Sequence, residues 1–288
     1  ILADDVIRYN TDQIFEVFGY KAEEAYNVKL TRDAELDINN DVSKSLIEKI
    51  SKSIKARKQG QPVRFVYDAA MPDDMLKYIM KKLGMAKKDN AIPGGRYHNF
   101  KDFINFPVLS DKDLVYNHPV PLQHPSLSQI THSTLKAIRK NDILLHYPYH
   151  GYNQIINLLR EASIDPSVES IKITLYRVAD SSKIANALIN AVKNGKSVTV
   201  LVELQARFDE ENNIYWANKL QEEGAKVIFG VQGLKVHSKL FVITARENGK
   251  QVHYVHIGTG NFNEKTSRIY TDFSLLTANK EIASDLNK

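Results

Sequence analysis

A chain of 288 residues has room for one large domain or two ordinary ones. With no cysteine it cannot carry a disulfide framework, a thiolate metal site or a cysteine nucleophile, and its 43% hydrophobic and 25% charged residues are ordinary for a globular protein. A net charge of +5 favours anionic partners modestly; no basic stripe interleaved with aromatics points to nucleic acid, and no apolar run nears the roughly 20 residues that span a bilayer.

The chain opens Ile-Leu-Ala-Asp-Asp with neither a Met nor a signal peptide, and is expected to be an internal piece of a longer protein. In chain order, Ala25 to Thr31 reads as a strand and Val42 to Ala56 as a helix with Asp41 as its N-cap. Pro62 to Asp68 reads as a strand, and Asp73 to Leu83 as a helix closed by Gly84. Asn90 to Asp111 is rich in Gly and aromatics and has little period. Between Tyr116 and Ser126, three prolines break helix and sheet alike, so the chain is expected to divide there, into residues 1–123 and 124–288.

Beyond that linker, helices are expected over Tyr152 to Ala162, Lys183 to Lys193 and Glu210 to Glu223, the last two ended at Gly195 and Gly224. Strands are expected over Ser170 to Tyr176, Ser197 to Leu204 and Lys226 to Phe229, then a hairpin of Leu234 to Ile243 and Gln251 to Ile257 across Glu247-Asn248-Gly249. The alternation predicts an α/β fold: a mixed, mostly parallel sheet flanked by helices, preceded by a smaller α/β or α+β domain.

Chemistry concentrates late in the chain. His237 and Lys239 lie two apart on an expected strand and so face the same way, a spacing suited to a nucleophile with a charge-neutralising ammonium beside it. Downstream comes Gly258-Thr259-Gly260-Asn261-Phe262-Asn263. Its glycines would let backbone N–H groups approach an anion, while Asn261 and Asn263 could donate to phosphate oxygens or orient the imidazole. The same residues also suit an ordinary turn. Arg177 and Arg207 follow expected strands, where α/β sheets collect ligands. Each either binds phosphate bidentately or pairs with a local carboxylate, Arg207 with Asp209 or Glu210. Tyr270 either stacks on a base or packs. His146 and His150 have metal-like spacing, but Pro148 between them argues against a helical zinc site. His253 and His256, three apart on a strand, face opposite ways, so at most one shares a site with His237.

His237-x-Lys239 followed by G-T-G-N resembles a phospholipase D superfamily half-site, with Thr244 where that pattern usually has Asp. Further stretches resemble one branch, the bacterial polyphosphate kinases: Leu144 to Tyr149, Ile173 to Val178, Val202 to Glu210, Gly233 to Lys239, and His256 to Lys265 with Tyr270-Thr271-Asp272. The resemblance implies a phospholipase D-like catalytic domain over 124–288 and part of a head domain over 1–123. It implies reversible transfer of the ATP terminal phosphate to inorganic polyphosphate through a phosphohistidine at His237. It further implies that Arg177 and Arg207 belong to a Mg2+-phosphate site and that Tyr270 contacts the nucleotide. A guanidinium has no lone pair for Mg2+, so the arginines would hold the phosphates that the metal also binds.

The implied partners are ATP or ADP and polyphosphate, with no nucleic acid and no integral membrane segment, in a cytoplasmic homo-oligomer; peripheral membrane association is left open. The resemblance places a second catalytic His in a following domain, so this piece alone is expected to turn over poorly or not at all. Two alternatives remain beside it: a phospholipase D-like phosphodiesterase, disfavoured by Thr244, and a non-catalytic polyphosphate- or nucleotide-binding module.

Overall fold

The computed structural model describes residues 2–20, 24–32, 48, 50–52, 54, 62–85, 90–106, 120–128, 133–204, 206, 208–231 and 234–287. Its contacts divide into two units: Ile1–Asn39 with Lys52–Tyr116, and Asn40–Ser51 with Asn117–Lys288.

The first unit opens with helices α1 (Ala3–Tyr9) and α2 (Thr11–Phe15). Strand β1 (Val28–Arg32) pairs antiparallel with β2 (Pro62–Asp68), and β3 (Ala91–Gly94) pairs parallel on its other side. Helix α3 (Asp73–Lys82) joins β2 to β3, with Asp73 and Asp74 in its first turn and Lys81 and Lys82 in its last, each sign complementing the helix dipole. Leu76 and Met80 from α3 close with Phe65 and Met71 into a small core. Of the helix expected over Val42 to Ala56, residues 48, 50–52 and 54 are helical, and the remainder lies outside the described residues.

The second unit is built on seven strands among the described residues: β4 (Ile143–Tyr147), β5 (Val168–Leu175), β6 (Ser197–Val202), β7 (Lys226–Phe229), β8 (Lys239–Glu247), β9 (Lys250–Gly258) and β10 (Asp272–Thr277). They are ordered β4-β10-β9-β8-β5-β6-β7. Strands β5, β6 and β7 are parallel neighbours, whereas β8, β9, β10 and β4 add by antiparallel pairing. Five strands therefore run one way; the two reversed strands, β8 and β10, are interleaved among them, and four of the six pairings are antiparallel.

Helices α4 (Thr134–Lys140), α5 (Asn153–Ile164), α6 (Lys183–Lys193) and α7 (Glu210–Glu222) pack each against the next. Helix α8 (Lys280–Asn287) sets Ala283 on Val242 and Val255. Phe241 and Val242 are consecutive in β8 and so point to opposite faces, α8 covering the Val242 face while Phe241 meets His256 and Phe262 on the other. The β8–β9 turn, Asn248 (φ 49°) and Gly249 (φ 76°), needs two left-handed residues, and the Asn-Gly pair supplies them at little strain.

Of the proline-rich segment expected as a linker, the described part from residue 120 packs locally: the Leu122 N–H donates to the Tyr149 carbonyl (2.7 Å), and the Gly151 N–H donates to the Leu122 carbonyl (2.9 Å). Among the described residues, no helix is long and apolar enough to cross a membrane.

Candidate active site

One edge of the second sheet gathers the carboxyl ends of β4, β5, β6 and β9 with the amino ends of β8 and β10. Register fixes this: Lys239 faces Gly258, Gly258 faces Ser274, and Asp272 faces Tyr147.

His237 does not lie on a strand, contrary to the expected span. Strand β8 begins at Lys239, because the preceding backbone turns to another partner: the Val236 N–H donates to the buried Glu203 carboxylate (2.8 Å). Thr174 of β5 then accepts from the Leu240 N–H (3.1 Å) and donates to the Ser238 carbonyl (2.8 Å), holding the His237 segment against the end of β5.

The centre of the site is Tyr176, which the sequence reading had not singled out. His237 meets its ring edge-on at 4.8 Å between centroids. The Lys239 Nζ lies 5.2 Å from the ring centroid, the Lys235 Nζ 5.9 Å and the Arg177 Cζ 5.6 Å. Three cations and an imidazole thus surround one electron-rich face-and-edge platform. Lys235, His237 and Lys239 alternate at a spacing of two, a signal that could have added Lys235 to the candidates.

Helix α7 fixes that platform. Asn213, fully buried, donates from Nδ2 to the Tyr176 carbonyl (2.7 Å) and the Glu203 carbonyl (2.9 Å), clamping the ends of β5 and β6. Asn212 donates to the Val178 carbonyl (2.6 Å) and Trp216 Nε1 to the Ala179 carbonyl (3.0 Å). Arg177 forms an ion pair with Asp209 just before α7. Both readings of Arg177 meet here, since a paired arginine that is still partly exposed can also face an anion. Arg207 lies outside the described residues.

These charges set the protonation states. Partial desolvation, then the Lys239, Lys235 and Arg177 charges, hold the His237 pKa below the usual imidazole value. Burial lowers the Lys239 pKa, which the Asp272 carboxylate opposes. Lys239 is only 5% exposed, and its ammonium donates to the His237 carbonyl, tying the pair together.

The Gly-rich turn serves a purpose beyond the expected one. A Cβ on Gly260 would stand 2.6 Å from Asp272 Oδ2, and one on Gly258 would stand 2.8 Å from His256 Cε1. The Thr259 N–H is committed to the Phe273 carbonyl (3.0 Å), and its hydroxyl to Asp272 (2.7 Å). The glycines make room for neighbouring side chains, and Thr259 has no amide to offer an anion. Asn263 uses Oδ1 to cap the following turn, accepting from the N–H of Lys265 (3.0 Å) and Thr266 (3.2 Å). Asn261 Oδ1 is buried and accepts no hydrogen bond from the protein. Tyr270 is 60% exposed, two residues ahead of β10.

The other histidines sort clearly. His256 is 1% exposed, bonded through Nε2 to Ser274 (2.8 Å) and packed against Phe241 and Phe262; burial drops its pKa to about 3. His253 bonds Thr244 (3.0 Å), five residues up β8 from Lys239 and so about 17 Å from it. His150 Nδ1 accepts from the His146 N–H (2.9 Å). Among the described residues, no cluster of His, Asp and Glu could hold a metal ion. The donor set at His237 is cationic and does not suit a protein-held Mg2+.

A family profile described as "Polyphosphate kinase C-terminal domain 1" matches residues 133–288, and one described as "Polyphosphate kinase middle domain" matches residues 1–106. The polyphosphate kinase of Escherichia coli K12 is 52% identical over 291 aligned residues, covering all of this chain and 42% of that protein. That of Vibrio vulnificus YJ016 is 53% identical over 287, covering 99% of this chain and 41% of that protein. The crystal structure of polyphosphate kinase from Porphyromonas gingivalis superposes with a TM-score of 0.75 at 35% identity, covering 99% of this chain and 40% of that one. The chain spans about 42% of the length of the curated relatives it matches. With both units matched end to end in fold and in sequence, the chain belongs to the polyphosphate kinase family.

Proposed function

We propose that this chain supplies a nucleophilic half-site for reversible transfer of the terminal phosphate of ATP to inorganic polyphosphate. Residues 124–288 form its phospholipase D-like catalytic domain and residues 1–123 part of a head domain. The observation that carries the reading is the cluster of Lys235, Lys239 and Arg177 with His237 around Tyr176. Such a cluster keeps the imidazole neutral and nucleophilic at neutral pH, yet presents positive charge to a polyanion.

In the forward direction an imidazole nitrogen of His237 bonds to the γ-phosphorus as the bond to the bridging oxygen breaks, and ADP leaves with the electron pair. The ring's other nitrogen gives up its proton. A terminal oxygen of polyphosphate then takes the phosphoryl group and frees the imidazole. A phosphoramidate keeps the transfer potential of an anhydride, which a serine ester would lose. The rest of the catalysis is positioning and charge neutralisation, by Lys239, Lys235, Arg177 and Arg207, and by the side-chain amides of Asn261 and Asn263. Magnesium arrives on the nucleotide as part of the substrate. The exposed Tyr270 contacts the nucleotide. The working enzyme is a cytoplasmic homo-oligomer in which a second His comes from elsewhere, so the 288-residue chain alone turns over poorly.

The test uses the full-length protein with γ-labelled ATP and Mg2+. Acid-labile, base-stable label on the wild type and none on His237→Ala supports the reading. A folded wild type that takes no label refutes it.

A further inference from the structure

Beneath the Gly-rich turn lies a cavity lined by Tyr147, Tyr152, His256, Asn261, Asp272 and Ser274, among others, with an enclosed volume of about 10 Å3. That is room for one water and for nothing larger. Buried polar atoms crowd it: the hydroxyls of Tyr147 and Tyr152, Asn261 Oδ1 and His256 Nδ1 all lack a hydrogen-bond partner within the protein. Buried polar groups are nearly always satisfied, so the two phenol hydroxyls and Asn261 Oδ1, lining one small cavity, call for a shared partner.

The atoms suit a water. Asn261 Oδ1 can only accept, while each phenol can donate or accept. A water that donates to Asn261 Oδ1 and to one tyrosine oxygen, and accepts from the other tyrosine, satisfies all three with one acceptor site to spare. The two rings sit 5.4 Å apart at 59°, one from the end of β4 and one at the start of α5. Burial raises both phenol pKa values, opposed at Tyr147 by the neighbouring Ser274 hydroxyl, so both remain O–H groups at neutral pH. The cavity also borders the candidate active site: Asp272, one of its walls, supports the charge on Lys239, and Asn261, another, has its Oδ1 buried.

We infer that one ordered water, held by the hydroxyls of Tyr147 and Tyr152 and by Asn261 Oδ1, anchors the Asn261 amide, which makes the two tyrosines positioning residues for phosphate transfer. This rests on the phosphate-binding role proposed for Asn261. With Oδ1 tethered, rotation about the Cβ–Cγ bond is blocked and Nδ2 keeps one orientation. Neither tyrosine touches substrate in this arrangement.

The experiment is a double-mutant cycle in the full-length enzyme, with Tyr152→Phe, Asn261→Ala and the pair, reading kcat and KM for ATP. Removing one hydroxyl should lower kcat about tenfold, the order expected when a buried acceptor loses its partner, with KM within about twofold. In the Asn261→Ala background the same change should cost less than about twofold, because the amide it positions is gone. Equal losses in both backgrounds would mean that the tyrosine acts on the fold alone, and no loss in either would mean that it positions nothing; both overturn the inference. Tyr147→Phe serves as a second probe should Tyr152→Phe fail to fold. A high-resolution crystal structure supplies an independent arm: density for one water within hydrogen-bond distance of all three atoms is expected, and tyrosines bonded directly to Asn261 in a collapsed cavity would refute it. Failure of the kinase reading itself would appear elsewhere, as an unlabelled wild type.

Discussion

Gly258→Ala puts a single methyl into a crowded place in the second unit. The new carbon would stand 2.8 Å from His256 Cε1, 3.2 Å from Nε2 and 3.4 Å from the Phe273 carbonyl. The ring cannot swing aside. It stacks on Phe241 at 4.8 Å and 13°, touches Phe262 at 5.0 Å and holds Ser274 at 2.8 Å. Overpacking of a filled core costs about 1–3 kcal/mol, and losing the buried Ser274 bond adds about 1 kcal/mol, so about 2–4 kcal/mol is expected in all. At a urea m-value of about 2 kcal/mol/M, that lowers the midpoint by about 1–2 M. The chain's single tryptophan, Trp216, is buried in α7 of this same unit, so its fluorescence follows the unit directly. In a His256→Ala background the added methyl should cost less than about 0.5 kcal/mol, because its obstacle is gone. A Gly258→Ala midpoint within about 0.2 M of the parent would refute the steric account and return the glycine to an ordinary turn role.

Lys239→Met removes one of the charges that depress the His237 pKa; the acid limb of the pH profile for phosphoenzyme formation should therefore move to higher pH, and a limb that moves down or stays fixed contradicts the assignment. Asn213→Leu strips donors from the Tyr176 and Glu203 carbonyls, and chemical unfolding should register a loss of about 2–4 kcal/mol. His256 binds its proton near pH 3 when folded but near 6.5 when unfolded, so the unfolded chain holds more protons between those values. Stability should then fall as pH drops below about 6.5, by up to about 1.4 kcal/mol per pH unit, and urea titrations of His256→Gln should show a flatter slope.

Where a local signal marks an element, its boundaries were legible. Pro62–Asp68, Lys183–Lys193 and Lys226–Phe229 fall on the residues expected, helped by the Ser182 cap and the left-handed Gly195. Where an element is decided by distant partners, the sequence was mute. Strand β10 sits between β4 and β9 and acquires its identity from pairings more than a hundred residues away on one side, and neither it nor β4 was anticipated. The β8 boundary failed for a related reason, since Glu203 captures the Val236 amide from 33 residues away and draws His237 out of the ladder.

The candidate site divides the same way. His237 and Lys239 carry a spacing that chemistry alone makes suspicious, but a spacing cannot name what stands opposite. Tyr176 is an unremarked residue at the end of β5 until Asn213 pins its carbonyl and the segment Lys235 to Lys239, leading into β8, brings three side chains to its ring. Asp209 and Asp272 likewise acquire a role only through the groups they face, Arg177 and Lys239. The Gly-rich turn has a packing role that its sequence does not announce. Beside the anion and turn readings its glycines allow, Gly258 and Gly260 leave room for His256 and Asp272, which stand against them. Asp272 in turn supports the charge on Lys239, which pairs with Gly258 across the ladder, so the turn shapes the lysine's surroundings by what it leaves space for. Replacing either glycine should disturb the lysine's surroundings without removing a single donor, a separation of effects that the Gly258→Ala and His256→Ala pair can measure.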